Sequence, residues 1–165
     1  MKDNIYAPPQ SELLETTDKN NATASRWKRL GASLIDALTI MVVTVPVMFF
    51  TGGFDGISEG ASPPIIYSLL IGALGIAIFF SINANLLIKS GQTLGKKALR
   101  IKIVDLNGEI PTFKKHLIKR YTAYFLPGQI PAVGQFISIA NILFIFGKQK
   151  RCAHDYIAGT KVVED

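Results

Sequence analysis

Three long uncharged runs and one short alternating stretch organise this chain. Leu30 to Phe50 is a run of 21 residues whose single charge is Asp36. At about 1.5 Å of rise per residue, a helix of that length covers about the 30 Å thickness of a bilayer's hydrocarbon core. Ile65 to Ile88 holds 24 residues without a charged side chain, enough to span with some tilt. Tyr121 to Gly147 holds 27 uncharged residues but is interrupted by Pro127, Gly128, Pro131 and Gly134. Soluble domains seldom carry three such runs. The pattern predicts a mainly α, small multi-pass helical membrane protein, with two clear transmembrane helices and a broken hairpin formed by the third block. Between Ala98 and Asp105, Leu99, Ile101 and Ile103 alternate with Arg100, Lys102 and Val104, the period of a strand with one apolar face, broken only at Val104. Asn107-Gly108 follows as a hairpin signal, with Glu109-Ile110 placed to begin a return. Thr160 to Val163 is also short and β-prone and is expected to pair with the Leu99 to Val104 strand. A small cytoplasmic β-element would then cap the helices.

Charge placement sets an orientation, because Lys and Arg near membrane segments stay on the cytoplasmic side. Arg26, Lys28 and Arg29 precede the first run, the Thr51 to Pro64 loop carries only Asp55 and Glu59, and Lys89 to Arg120 holds nine Lys or Arg against Asp105 and Glu109. The amino terminus and the Lys89 to Arg120 segment are therefore expected inside. The net charge of +6 follows from this segregation and gives no sign of nucleic-acid binding. Anionic lipid of the cytoplasmic leaflet is the expected partner, at about 1 kcal/mol per juxtamembrane cation. Basic residues stand at both ends of the third block, Arg120 before it and Lys148, Lys150 and Arg151 after it. A hairpin broken near Pro127 to Gly134, its first arm starting from Phe113, accounts for this and leaves the carboxyl terminus cytoplasmic; one crossing with an external carboxyl terminus is the alternative. Residues 1–25 are polar and lack the pattern of a signal peptide. They read as a disordered cytoplasmic tail ahead of a membrane domain over 26–165.

Asp36 falls about 9 Å inside the near edge of the first span. An ionised carboxylate at that depth costs on the order of 2.5–3.5 kcal/mol, so it needs a partner, water or a proton. Arg29 stands seven residues earlier, on nearly the same helix face but about 10 Å away along it, too far for a direct bond. Asn83 and Asn85, near the cytoplasmic end of the second span, are the candidate neighbours. Two readings stand side by side for Asp36: an ion- or proton-binding carboxylate, and a polar clamp between helices. For the two asparagines, ordinary interhelical hydrogen bonding is the stronger reading. Ser68, Gly72, Ala73 and Ala77 form a small-residue stripe expected to pack closely against another helix.

Gly91-Gln92-Thr93-Leu94-Gly95-Lys96-Lys97 superficially suggests a phosphate loop. A P-loop needs four residues between its glycines and Ser or Thr after its lysine; here there are three, and Lys97 follows Lys96. Thr93 is better read as the cap of a short turn whose glycines let the chain leave the membrane tightly. Cys152, His154 and Asp155 lie too close in sequence to converge on a metal. No orienting group or oxyanion hole accompanies them, so neither an enzyme, a cofactor nor a metal is expected. Asp155 is expected to bond backbone amides or to pair with Arg100 or Arg29. One cysteine, Cys152, implies no disulfide.

Three ordered motifs carry a resemblance: Arg29-Leu30-Gly31-Ala32-Ser33-Leu34-Ile35-Asp36, Gly91 to Lys97, and His154-Asp155-Tyr156-Ile157-Ala158-Gly159-Thr160. Together they resemble the RDD family of bacterial membrane proteins, named for an arginine and two aspartates. Arg29 and Asp36 match the arginine and the first aspartate, and Asp155 the second. The resemblance implies a bacterial inner-membrane protein. At least one member is described as a sodium/proton antiporter, which would suit a membrane-embedded Asp36 exchanging a proton for a monovalent cation, with a homo-oligomer enclosing the path. The alternative is a non-catalytic membrane module that binds a partner protein or anionic lipid through its basic cytoplasmic face.

Overall fold

A computed structural model of the protein describes residues 22–130 and 133–165. Most of the tail expected over 1–25 therefore lies outside the described residues. Its last residues are already engaged: Thr23 bridges Val163, and the Ala24 amide donates to Val162 O at 2.9 Å. The residues just before the boundary placed after residue 25 are thus paired with the carboxyl-terminal end of the chain.

The two long apolar runs form α1 (Arg26–Phe50) and α2 (Ile65–Ser90). Only 11% and 6% of their most apolar windows is covered by protein. A core helix of a soluble domain would be mostly covered, so these helices present an unpartnered apolar surface of the kind a bilayer solvates. Hydroxyls along them are satisfied internally: Ser33, Thr39 and Thr44 each donate to the carbonyl four residues back, at 3.1, 2.9 and 3.1 Å. No hydroxyl on that face needs water, as an apolar medium requires. Of the expected small-residue stripe, Gly72 alone packs inward, against Gln129, whereas Ser68, Ala73 and Ala77 are exposed. The close approach to α1 is made instead by Gly75, facing Ile40.

Gly91, at φ +67°, ends α2 in the left-handed conformation, and a Cβ there would run into Ile103 O. Glycine is required on both counts. The chain then doubles back beside the last turns of α2 and forms the short α3 (Leu94–Ala98), capped by the Thr93 hydroxyl. It continues into β1 (Ile101–Asp105), which pairs antiparallel with the carboxyl-terminal β2 (Thr160–Glu164), Ile101 opposite Glu164 and Asp105 opposite Thr160. The strand pairing expected from the alternation is observed. Ile101, Ile103, Val162 and Val163 are fully buried together with Ala24 and Leu87. Asn107-Gly108 does turn, held by the Asp105 carboxylate, which accepts from the amides of Asn107 and Glu109 at 2.9 and 3.0 Å. Glu109-Ile110 starts no return strand, because the edge of β1 away from β2 is taken by the Gly91-Gln92 turn, Gly91 O accepting from the Ile103 amide at 2.8 Å and Gln92 Nε2 donating to Ile101 O at 3.1 Å.

The third block is broken as its prolines and glycines require. A π-type turn at Phe113–Leu117 leads into α4 (Ile118–Phe125), a 3-10 turn follows at Pro127–Gln129, and α5 (Gly134–Leu143) returns towards a second 3-10 turn at Phe144–Phe146. The Asn141 amide of α5 donates to Ala123 O of α4 at 3.3 Å, tying the arms together. Phe79 and Phe80 of α2 pack on Tyr121 and Phe125 at 5.1–6.3 Å between ring centroids. At the far end of this returning arm, the carbonyls of Ile145 and Phe146 accept from Arg26, at the start of α1. Both ends of the block thus meet the charged end of the helices. A last short helix, α6 (Ala153–Ala158), ends at Gly159, φ +62°, and enters β2.

Candidate functional site

Five ionised side chains gather at the charged end of the helices and form two separate clamps on one face of α1. The first centres on Asp36. Its Oδ1 accepts from the Gly95 amide at 2.8 Å and its Oδ2 from the Thr93 hydroxyl at 2.6 Å. Lys96 Nζ lies 3.9 Å from Oδ2. Gly95 is needed here because α3 approaches the α1 backbone so closely that a Cβ would collide with Ala32 O. The partners of Asp36 therefore come from the Thr93 to Lys96 turn, not from Asn83 or Asn85. Asn83 serves the same turn indirectly: its Oδ1 accepts from the Leu94 amide at 2.7 Å and its Nδ2 donates to Phe79 O at 3.0 Å. Asn85 is exposed on another face of α2.

The second clamp centres on Asp155, which is wholly buried. Arg29 donates to its Oδ2 at 2.5 Å, and Arg120 Nη1 donates to its Oδ1. Asp155 also accepts from the Cys152 amide at 2.9 Å, capping α6 from within its first turn. Arg29 reaches further to Lys150 O and, at 3.3 Å, to Cys152 Sγ. Arg120 donates to the Thr160 hydroxyl at 2.7 Å. One carboxylate therefore joins α1, α4, α6 and the start of β2. The pairing of Asp155 with Arg29 and with a backbone amide follows the expectation. Arg100 takes no part; it is exposed, at φ +54°. Arg120 had appeared in the sequence only as a topology marker. Its position as the last cation before an uncharged block was the available signal, since a cation there is carried inward by the helix it begins.

Burial alone would raise the Asp155 carboxyl pKa, but Arg120 and then Arg29 outweigh it and hold the group well below the usual carboxylate range. Burial, reinforced by Arg120, pushes His154 down to about 3. The ring is therefore neutral, its Nδ1 donating to Asn141 Oδ1 at 2.9 Å. Burial likewise lowers Lys96 to about 8, with Arg120 adding to the effect and Asp36 opposing it.

Cys152, His154 and Asp155 do bring potential ligand atoms within 4.8 Å of one another. A metal there would have to displace two guanidiniums from Asp155, and burial raises the Cys152 thiol pKa, which disfavours the thiolate. The group fits a structural lock better than a metal centre. Gly159 acts at a distance from both clamps, as the left-handed end of α6.

These features define a class: a mainly helical chain with two helices long and apolar enough to cross a membrane, closed at one end by buried Arg–Asp and Asp–turn clamps and a two-stranded sheet. The chain belongs to the RDD family, whose model matches residues 23–159. Members of that family are typically membrane proteins. Arg29, Asp36 and Asp155 all lie in the matched region. The chain is 35% identical over 101 residues to a Rickettsia prowazekii (strain Madrid E) protein titled "Uncharacterized protein RP437". That match covers 61% of this chain and 52% of the relative, so the chain spans about half the length of that protein. No solved structure matches.

Proposed function

We propose that this protein is a non-catalytic inner-membrane module whose basic face, on the cytoplasmic side, engages the anionic lipid surface. The observation that carries this reading is a set of exposed cations in the segment from the end of α2 into the first turn of α4. Lys97, Arg100, Lys114, Lys115 and Lys119 are exposed and, among the described residues, form no salt bridge. Unpaired cations beside a membrane helix gain about 1 kcal/mol each from an anionic leaflet, and the positive-inside tendency puts this face and both termini in the cytoplasm. The clamps support a scaffold role, since each carboxylate is saturated by donors.

The test is the fraction of motionally restricted spin-labelled lipid around the reconstituted protein. Phosphatidylglycerol should be enriched over phosphatidylcholine at low salt, and the enrichment should fall on neutralising Lys97, Arg100, Lys115 and Lys119 to Gln. Equal restriction of the two lipids would overturn the reading.

A second reading, sodium/proton exchange, is favoured by one observation: Lys96 is nearly buried beside Asp36, with its pKa brought down to about 8. In that scheme Lys96 releases a proton as a cation takes its place at Asp36, and a homo-oligomer encloses the path. Against it, the groups bonded to Asp36 are donors, whereas a hard cation needs oxygen acceptors. Sodium-driven proton movement in proteoliposomes that vanishes in Asp36→Asn would promote this reading over the first.

A further inference from the structure

A cavity of about 340 Å³ lies between α1, α2, α4 and the returning 3-10 turn. That is within the range of about 300–1,000 Å³ typical of ligand sites. Its two ends differ in chemistry. The deep end is bounded by Arg29, Lys96 and Arg120 with the Asp36 carboxylate beside Lys96, and the walls by apolar side chains that include Ile40, Phe79 and Phe125. We infer that this cavity binds one membrane lipid with a singly charged phosphodiester headgroup, the phosphate at the three cations and the start of an acyl chain along the apolar wall.

Three observations support the assignment. The first is charge. Three buried or nearly buried cations, Arg29, Lys96 and Arg120, face two carboxylates, Asp36 and Asp155, and His154 is neutral. Among these groups one positive charge is left over in a poorly solvated place, the half-buried Arg26 adds a further cation at the lining, and a single anion neutralises the buried excess. The second is an orphan donor. Tyr121 lines the cavity, is 6% exposed, and has its hydroxyl buried with no hydrogen-bond partner among the described residues. Native proteins rarely leave such a group unpaired, and a small turn of the ring towards the cavity would let it donate to a phosphate oxygen. The third is the mouth. Trp27 and Phe146 rim the cavity and are 78% and 65% exposed. The opening thus lies at the start of α1, where interfacial Trp side chains sit at headgroup level. A lipid enters sideways there without crossing water.

This inference does not depend on the surface reading, because exposed lysines respond to charge density and the cavity takes one molecule. The test uses the purified protein in a neutral detergent, with the fluorescence of Trp27, the chain's single tryptophan, as readout. Dihexanoyl phosphatidylglycerol should give a saturable one-to-one change. Dihexanoyl phosphatidylcholine and the chain-free glycerophosphoglycerol headgroup should each bind at least tenfold more weakly. Ala37 lines the cavity, and Ala37→Phe should fill it and abolish binding while circular dichroism and elution volume stay unchanged. Lys96→Gln and Tyr121→Phe should each weaken binding several-fold. The variant with Lys97, Arg100, Lys115 and Lys119 neutralised should bind as wild type, so loss of surface preference and loss of cavity binding are separate results. Equal binding of the phosphocholine lipid, binding of the bare headgroup as tight as the lipid, or undiminished binding by folded Ala37→Phe would each overturn the inference.

Discussion

Asp155→Asn removes the charge that holds two guanidiniums inside the protein while keeping the shape of the side chain. In the wild type the carboxylate has no exposed surface and accepts from Arg29, Arg120 and the Cys152 amide. Breaking a buried ion pair by removing one partner costs about 3–5 kcal/mol, because the other charge stays buried without compensation. Here two arginines lose the same partner, and a weakened cap on α6 adds up to about 1 kcal/mol. The asparagine retains one oxygen for a guanidinium, so the net expectation is a loss of about 3–5 kcal/mol, comparable with the total stability of many domains, about 5–15 kcal/mol. Thermal unfolding in neutral detergent, followed by circular dichroism, should show the drop at pH 7. The sign of the pH dependence follows from the depressed carboxyl pKa. The stabilisation is complete above the unfolded value of about 3.9 and is lost as pH falls towards the folded value. The gap between wild type and variant should therefore be constant from pH 7 to 5 and close only under stronger acid. A double-mutant cycle with Arg29→Gln should give a large coupling, the double variant costing much less than the sum of the singles. A folded Asp155→Asn within about 1 kcal/mol of wild type, a threshold below any buried-pair loss, would refute the clamp.

Four further outcomes follow. Asn83→Ala should destabilise by about 1–3 kcal/mol, since it leaves the Leu94 amide unpaired, whereas exposed Asn85→Ala should leave the melting temperature unchanged; the two melting curves compare them directly. Gly95→Ala should cost at least about 1–3 kcal/mol of overpacking by forcing α3 away from Ala32 O, read as a lower unfolding midpoint. Between pH 6.5 and 5, wild type should lose stability and His154→Gln should lose less. The unfolded histidine takes up a proton in that window, while the buried ring, with its pKa near 3, stays neutral; parallel melts at the two pH values provide the check. In a Cys152→Ala background, a cysteine placed at Lys148 or Lys161 should resist an impermeant thiol reagent added outside intact cells, and labelling from outside would reverse the proposed orientation.

Much of the architecture was legible because its causes are local. Run length fixed the two long helices, period-two alternation fixed β1, and Pro127, Gly128 and Gly134 marked the break between α4 and α5. The site was only half legible because its contacts are set by how the chain doubles back after α2. A straight antiparallel pair of helices brings Asn83 and Asn85 level with Asp36, which is why both were candidates. The left-handed Gly91 instead folds the Thr93 to Lys96 turn into that space, with Asn83 behind it and Asn85 outside. No periodicity reports such a reversal. Arg120 was missed for a similar reason: its partner is 35 residues away, across a hairpin and a turn.

The spacing of Arg29 and Asp36 gains a meaning from this geometry. Seven residues are nearly two helical turns, so the two side chains leave α1 on nearly the same face at different heights. They do not pair with each other. Asp36 binds the turn that follows α2, and Arg29 binds Asp155 in the carboxyl-terminal α6. One face of α1 is therefore the surface on which the middle and the end of the chain are both fastened, each by a charge-assisted bond that hydrophobic packing in a lipid medium cannot supply. With helices otherwise free to slide against equally apolar lipid, such bonds fix register. The arginine and the two aspartates are then two clamps sharing a helix, and the cavity lies against that same helix face, where Arg29, Lys96 and Arg120 of the clamps outnumber Asp36 and Asp155 by one.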